Sequence, residues 1–241
     1  MPETLVIFGS KSDSNVYDKL TALLAGKGVD YELKICSAHK NPEMLDRILK
    51  KRYDLVIAGA GLSAALPGVI ASKVTCPVIG IPCTGEFDGL DAFLSILQMP
   101  PGIAVLGVGV NDVKTAAENA ELILQEPKTV AIVSPSDEKT KKASEILDKF
   151  GIKHESAKNA EADINIIIQP LEKITIMKNN KINIYCPIKE NTSAEDSIKL
   201  LKTAKEGLWV GINNQKNAAI AAVQILGKDR EILEYRKELR K

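Results

Sequence analysis

Apolar positions along the chain fall into two patterns, and their alternation sets the expected architecture. Leu5-Val6-Ile7-Phe8 is a short continuous run, as expected of a strand covered on both faces, and Tyr31 to Cys36, Leu55-Val56-Ile57-Ala58, Pro77 to Ile81 and Ala104 to Val110 read as further strands. Between them the spacing turns helical. Val16, Leu20, Leu23 and Leu24 share one face, closed by Gly26 and Gly28, and Pro42 opens a helix carrying Met44, Leu45, Ile48 and Leu49. A third helix is expected after the glycine-rich stretch Gly59 to Gly68, and a fourth between Gly89 and Pro100. Strand–helix alternation predicts an α/β fold, a three-layer, Rossmann- or flavodoxin-like parallel sheet. Ligands of such sheets bind beyond the carboxyl ends of the strands, where Ser10, His39 and Gly61 all fall.

The pattern then begins again. Val130 to Asp137 runs parallel to Val6 through Asp13, Ile184-Tyr185-Cys186-Pro187 echoes Ile79-Gly80-Ile81-Pro82, Asp196 stands where Asp91 stood, and Leu208-Trp209-Val210-Gly211 echoes the fifth strand. This predicts a shortened second α/β repeat, with a boundary near Gln125-Glu126-Pro127-Lys128 and domains at 1–126 and 127–241. In this alignment Val133 replaces Gly9, Ser37 to Asn41 shrinks to Ser156-Ala157-Lys158-Asn159, Gln169-Pro170-Leu171-Glu172 replaces the stretch from Gly59, and at least one helix is missing. The second copy keeps a sheet and loses a site, which leaves His154 as a surface residue. The run 228–241 reads as a charged helix with Ile232, Leu233, Tyr235 and Leu239 available for docking.

Composition narrows the function. The chain has 241 residues, 45% of them hydrophobic, and 32 basic against 31 acidic side chains give a formal charge of +1. That balance offers no bulk attraction to nucleic acid or an anionic membrane, so an anionic ligand must be small and locally held. Cys36, Cys76, Cys83 and Cys186 show no metal-ligand spacing, so no metal is expected, and free thiols suit a reducing cytoplasm. No apolar run is of membrane-spanning length and no leader is evident, so a cytoplasmic protein is expected.

Two features carry chemistry. A strand, the turn Gly9-Ser10-Lys11-Ser12-Asp13 and a helix start, in that order, form an anion site from unpaired first-turn amides. Gly9 permits close backbone approach, Ser10 and Ser12 add hydroxyls, and Asp13 either caps the helix or accepts from a sugar hydroxyl. The second feature is the loop Cys36-Ser37-Ala38-His39-Lys40-Asn41-Pro42, which holds one of only two histidines. Imidazole is the side chain that both takes and returns a proton near neutral pH, so His39 is the candidate general acid/base. On these residues alone, His39 reads equally well as a plain polar loop residue.

Taken together, Gly9-Ser10-Lys11-Ser12-Asp13, Ser37-Ala38-His39-Lys40, Ala58-Gly59-Ala60-Gly61, Leu66-Pro67-Gly68 and Gln98-Met99-Pro100-x-Gly102 resemble the PurE family of purine biosynthesis over the first half of the chain. The second half is similar only as a reduced repeat, with Asn217-Ala218-Ala219 and the last helix like the family's C-terminal end. The resemblance implies an enzyme without cofactor or metal that forms 4-carboxy-5-aminoimidazole ribonucleotide, with carbon dioxide and a ribonucleotide as its small-molecule partners. His39 occupies the family's proton-transfer position. Ser10, Asp13 and Lys40 match ribonucleotide-binding positions, while Ser37, Gly61 and the glycine turn line the reacting ring. The expected binding set is Gly9, Ser10, Ser12, Asp13, Ser37, Ala38, Lys40, Gly59, Ala60, Gly61 and Leu66. Four two-domain chains are expected to assemble as a homotetramer mimicking an octamer.

Two positions depart from the mutase pattern: Lys40 stands where Arg is usual, and Ala65 where a second His is usual. Lysine keeps the charge and loses the bidentate fork. Lys40 is similar to the direct-carboxylase branch, and the Leu66-Pro67-Gly68 and Gln98-Met99-Pro100 motifs to the mutase branch, which is the preferred reading. A PurE-like carboxylase of nickel-pincer cofactor synthesis is a rival enzyme with the same fold. A non-catalytic nucleotide-binding or assembly module is the rival without turnover.

Overall fold

The computed structural model describes residues 3–239, apart from the side chain of Asp137. The first apolar run becomes β1 (Thr4–Phe8), buried at every position. It lies between β2 (Tyr31–Ile35) and β3 (Leu55–Ala60), followed outward by β4 (Val78–Pro82) and β5 (Leu106–Gly107), all parallel. β5 is far shorter than the expected Ala104–Val110. Most of those residues are buried, but only Leu106 and Gly107 join the ladder. The helices are α1 (Ser14–Gly26), α2 (Pro42–Ile48), α3 (Ala65–Lys73), α4 (Leu90–Leu97) and α5 (Val113–Leu124). α5 has no counterpart in the sequence expectations. Its signal is present in Asp112, whose carboxylate caps the Thr115 N–H, and in Ala116, Ala120 and Ile123 along one buried face.

The second half supplies β6 (Val130–Val133), β7 (Glu155–Ala157), β8 (Ile164–Pro170), β9 (Ile182–Ile188) and β10 (Leu208–Trp209), with α6 (Lys141–Lys149), α7 (Ala194–Thr203), α8 (Gln215–Ile225) and α9 (Asp229–Glu238). Positions 240 and 241 of the expected last helix lie outside the described residues. Of its docking residues, Ile232 and Tyr235 are buried, whereas Leu233 and Leu239 are half exposed.

All ten described strands join one sheet, in the order β2-β1-β3-β4-β5-β10-β9-β8-β6-β7. Each half has the same internal strand order. They meet at β5–β10, the one antiparallel pairing among the described strands, through Trp209 and Gly107. The carboxyl ends of the two sets of strands therefore open on opposite edges. One face is covered by α1, α5, α6 and α8 and the other by α2, α3, α4 and α7, giving three layers.

Ladder register corrects the expected alignment of the halves. Pro82 and Pro187 occupy equivalent levels, each accepting from the N–H of a left-handed asparagine, Asn111 (φ 56°) and Asn213 (φ 61°). From that anchor, Ile167 stands at the level of Ala58 and its partner Val133 at the level of Ile7. Pro135, not Val133, is then at the level of Gly9. Ser156 and Ala157 lie inside β7 rather than in a loop matching Ser37 to Asn41. Continuous apolar runs look alike in any register, so sequence alone left this two-residue shift open.

Between β7 and β8, and between β8 and β9, the second half has only loops and a 3-10 turn, Leu171–Lys173, where the first half has α2 and α3. The sheet surface differs as well. Gly80 and Gly107 let helices sit close in the first half, since a Cβ at Gly80 would stand 2.5 Å from Ile96 and one at Gly107 would collide with Leu97. Their counterparts Tyr185 and Trp209 stack with centroids 4.6 Å apart and are fully buried. The segment that replaces a helix closes over them, with the Tyr185 hydroxyl accepting from the Met177 N–H at 2.7 Å.

Candidate functional site

At the end of β1, Gly9 donates its N–H to the Gly59 carbonyl at 3.1 Å, and Ser10 turns the chain into a 3-10 turn, Lys11–Asp13. The Ser10 hydroxyl accepts from the Ser12 N–H at 3.1 Å and lies 2.7 Å from the Ser12 hydroxyl. Asp13 stands at the N-cap position of α1 but makes no capping bond, contrary to one of its two expected roles. Its carboxyl is half-buried beside the Ser12 hydroxyl, and burial raises its pKa above the ordinary value, with that hydroxyl partly opposing.

The loop after β2 is set by buried Cys36 and by a turn in which Ser37 accepts the Lys40 N–H on its hydroxyl and the Asn41 N–H on its carbonyl. This turn leaves His39 and Lys40 exposed at its tip. Beyond β3 the chain passes Gly61 and Leu62, whose left-handed φ of 52° is a strained conformation for a branched residue. It enters α3 without a side-chain cap, so the first amides of that helix are left for another acceptor. Beyond β4, Thr84 is pinned by Asn111, whose Oδ1 accepts the Thr84 N–H at 3.1 Å and whose Nδ2 donates to Thr84 Oγ1.

These strand ends enclose a cleft of about 610 Å³. His39, Gly9, Ser10, Ser12, Asp13, Ser37, Ala38, Lys40, Ala60, Gly61 and Leu66 all line it. Gly59 does not. It lies beneath, under the Phe8 ring, where a Cβ would collide with Cε1, and it contributes the carbonyl that orients Gly9. Leu62, Ser63 and Ala65 of the expected glycine-rich turn line the cleft too, whereas Thr84 and Gly85 were missed by sequence reasoning. The signal for Thr84 was its place just past a strand's carboxyl end. A side chain at Gly9 would project between Ala60 and Leu66, 3.9 and 4.0 Å away, on the cleft floor. Behind Gly61, burial pushes the Cys83 thiol up to about 12, so it is no nucleophile.

The second half keeps the scaffold and fills the space. Asn213 grips the Lys189 backbone as Asn111 grips Thr84, accepting its N–H at 3.0 Å and donating to its carbonyl at 2.7 Å. The Lys189 ammonium then bridges Asp196 at 2.5 Å and Glu172 at 3.0 Å. His154 is not the expected surface residue. Its side chain is only 14% exposed and its Nδ1 lies 3.1 Å from the Ile152 carbonyl, before β7 and away from that half's strand ends. Among the described residues no group of three or more His, Cys, Asp or Glu is placed to hold a metal ion, and no helix is long and apolar enough to cross a membrane.

Comparison with known proteins covers about half of the chain or somewhat more. The N5-carboxyaminoimidazole ribonucleotide mutase of Methanocaldococcus jannaschii is 47% identical over 113 residues, covering 46% of this chain and 72% of that protein. The mutase of the same name from Thermotoga maritima is 38% identical over 156 residues, covering 62% and 90%. Among solved structures, PurE of Treponema denticola is 34% identical, with a TM-score of 0.46 over 50% of this chain and 78% of that one. The family model described as AIR carboxylase matches residues 3–131, the stretch that builds β1 to β5 and every wall of the cleft, and the chain belongs to that family, the PurE family.

Proposed function

We propose that the chain is an N5-carboxyaminoimidazole ribonucleotide mutase of purine biosynthesis, forming 4-carboxy-5-aminoimidazole ribonucleotide in the cleft of the first half. The observation that carries this reading is the shared cleft of the His39 loop, the Ser10–Asp13 turn and the uncapped start of α3. The phosphate sits against the Gly9–Ser12 turn and the Lys40 ammonium, Asp13 accepts from a ribose hydroxyl, and the imidazole ring lies by Ser37, Ala60 and Gly61.

The reaction needs one proton moved and carbon dioxide held. His39 donates a proton to the exocyclic nitrogen as its bond to the carboxyl carbon breaks and carbon dioxide leaves. Ring carbon C4 attacks the retained carbon dioxide, and His39 takes the C4 proton, restoring the aromatic ring and its own starting state. Carbon dioxide offers little to bind, so the cleft walls act by confinement and orientation. The four free, buried cysteines suit a cytoplasmic location. Assembly as a homotetramer, with each second half in a subunit position of a pseudo-octamer, is part of this reading; light scattering returning a monomer overturns it.

The activity test supplies pure protein with N5-carboxyaminoimidazole ribonucleotide, or with aminoimidazole ribonucleotide plus bicarbonate. Turnover of the first alone is expected. Turnover of the second alone assigns the direct-carboxylase branch, which the lysine at position 40 favours, and turnover of neither overturns the enzyme reading.

A further inference from the structure

Among the polar side chains of the second half that are buried almost completely are Asn217 (1% exposed), Gln224 (2%) and Arg236 (5%). All three reach across to backbone of the first half. The Asn217 Nδ2 lies 3.3, 3.0 and 3.2 Å from the carbonyls of Met99, Pro100 and Ile103, and its Oδ1 accepts the Gly102 N–H at 2.7 Å. Gln224 donates to the Thr75 and Cys76 carbonyls at 3.0 Å each, and Arg236 to the Val74 carbonyl at 2.7 Å. These acceptors fall in two places, the exit of α3 and the loop after α4.

Both places control α3. The 99–103 loop carries Met99, whose sulfur would stand 3.0 Å from a Cβ at Gly68, so the loop packs directly on the middle of that helix. The 74–76 segment is the chain leaving its carboxyl end. The other end of α3 presents Ala65 and Leu66 to the cleft. The helix is nine residues long, so its exit and back lie within three turns of the amino terminus that lines the cleft, and a misplacement of about 1 Å there is enough to cost turnover. Asn214 Nδ2 also donates to the Met99 carbonyl at 2.8 Å and the Ile103 N–H to the Pro100 carbonyl at 3.2 Å, so the displacement is expected from the Ile103, Thr75 and Cys76 carbonyls, for which losing a buried donor is costly.

We propose that Asn217 and Gln224 are positioning residues for the first half's reaction, fixing α3 from behind, so that the half that lost its strand-end cleft sets the geometry of its partner's. The proposal rests on the cleft of the first half being the reaction site. It gives the second half a role in turnover rather than in folding alone.

The test uses the full chain with Asn217→Asp, which keeps shape and removes both donor hydrogens, and Gln224→Met, which keeps length and removes the donor. Two readouts are taken on folded protein: kcat and KM for the ribonucleotide, and hydrogen–deuterium exchange of residues 61–73. Each variant is expected to lower kcat/KM about tenfold with an unchanged pH profile, and to raise exchange about tenfold in 61–73 and 99–103 while β6 to β9 stay protected. Wild-type kinetics in a folded variant, or exchange raised evenly over the whole chain with kinetics per folded molecule unchanged, overturns the proposal. If one variant does not fold, the other decides; if neither folds, the residues are structural and the proposal fails. A wild-type protein that turns over no ribonucleotide sinks the functional reading instead, and the exchange pattern still reports whether the two side chains hold α3.

Discussion

The two halves have the same strand order and the same asparagine latch after the fourth strand, yet one holds an open cleft and the other a lysine between two carboxylates. The difference lies in two helices, α2 and α3, that the first half alone has and in a few small residues. Where Gly80 and Gly107 admit close helix packing, Tyr185 and Trp209 fill the sheet surface themselves. The same strand order thus carries two kinds of surface, one kept low by glycine under a close helix and one built up by stacked aromatic side chains.

The largest expected effect concerns the two histidines. His39→Ala is expected to lower turnover about a thousandfold, and His154→Ala less than twofold in the same assay. Equal losses would mean that the cleft is not the reaction site. Next, Trp209→Ala should destabilise by about 3–5 kcal/mol through loss of a fully buried aromatic, read by denaturant unfolding. Gly80→Ala should destabilise by about 1–3 kcal/mol for the opposite reason, overpacking against Ile96 and Val105. If Gly80→Ala is neutral, close helix packing does not distinguish the halves.

The smallest effect is pH-dependent. Burial raises the folded-state pKa of Asp13, so its protonated form is favoured on folding. That contribution is complete below the unfolded pKa and disappears as pH rises through the folded one. Above that value the buried carboxylate weakens the fold, so Asp13→Asn should raise the melting temperature modestly at neutral pH while raising KM. Below the unfolded pKa that advantage should vanish. A lower melting temperature at neutral pH would contradict the burial argument.

Much of the site was legible because its signals are local. A buried strand followed by Gly9-Ser10, and an imidazole just past another strand, locate ligand chemistry without a structure. Thr84 could have been placed by its position just past a strand, but the bond that pins it to Asn111, 27 residues further on, was not legible. The Gln98-Met99-Pro100-x-Gly102 motif could be recognised but not explained, because its partner Asn217 lies in the other half. That the second half repeats α/β segments followed from its apolar runs, whereas its strand order and register did not. Letters such as Ser134 and Asp137 suggested one alignment and the ladder adopted another.

The seam between the halves is a single paired position, Trp209 with Gly107, so the ladder contributes little to their cohesion. Tolerance to substitution should therefore be uneven across the second half. Its strand-end loops are free to drift under neutral change, while the inward row of α8 is held to its present letters by the backbone it serves. Reading frames that lose the segment after residue 126 would release a first half whose carbonyls at 74–76 and 99–103 lose these partners to water.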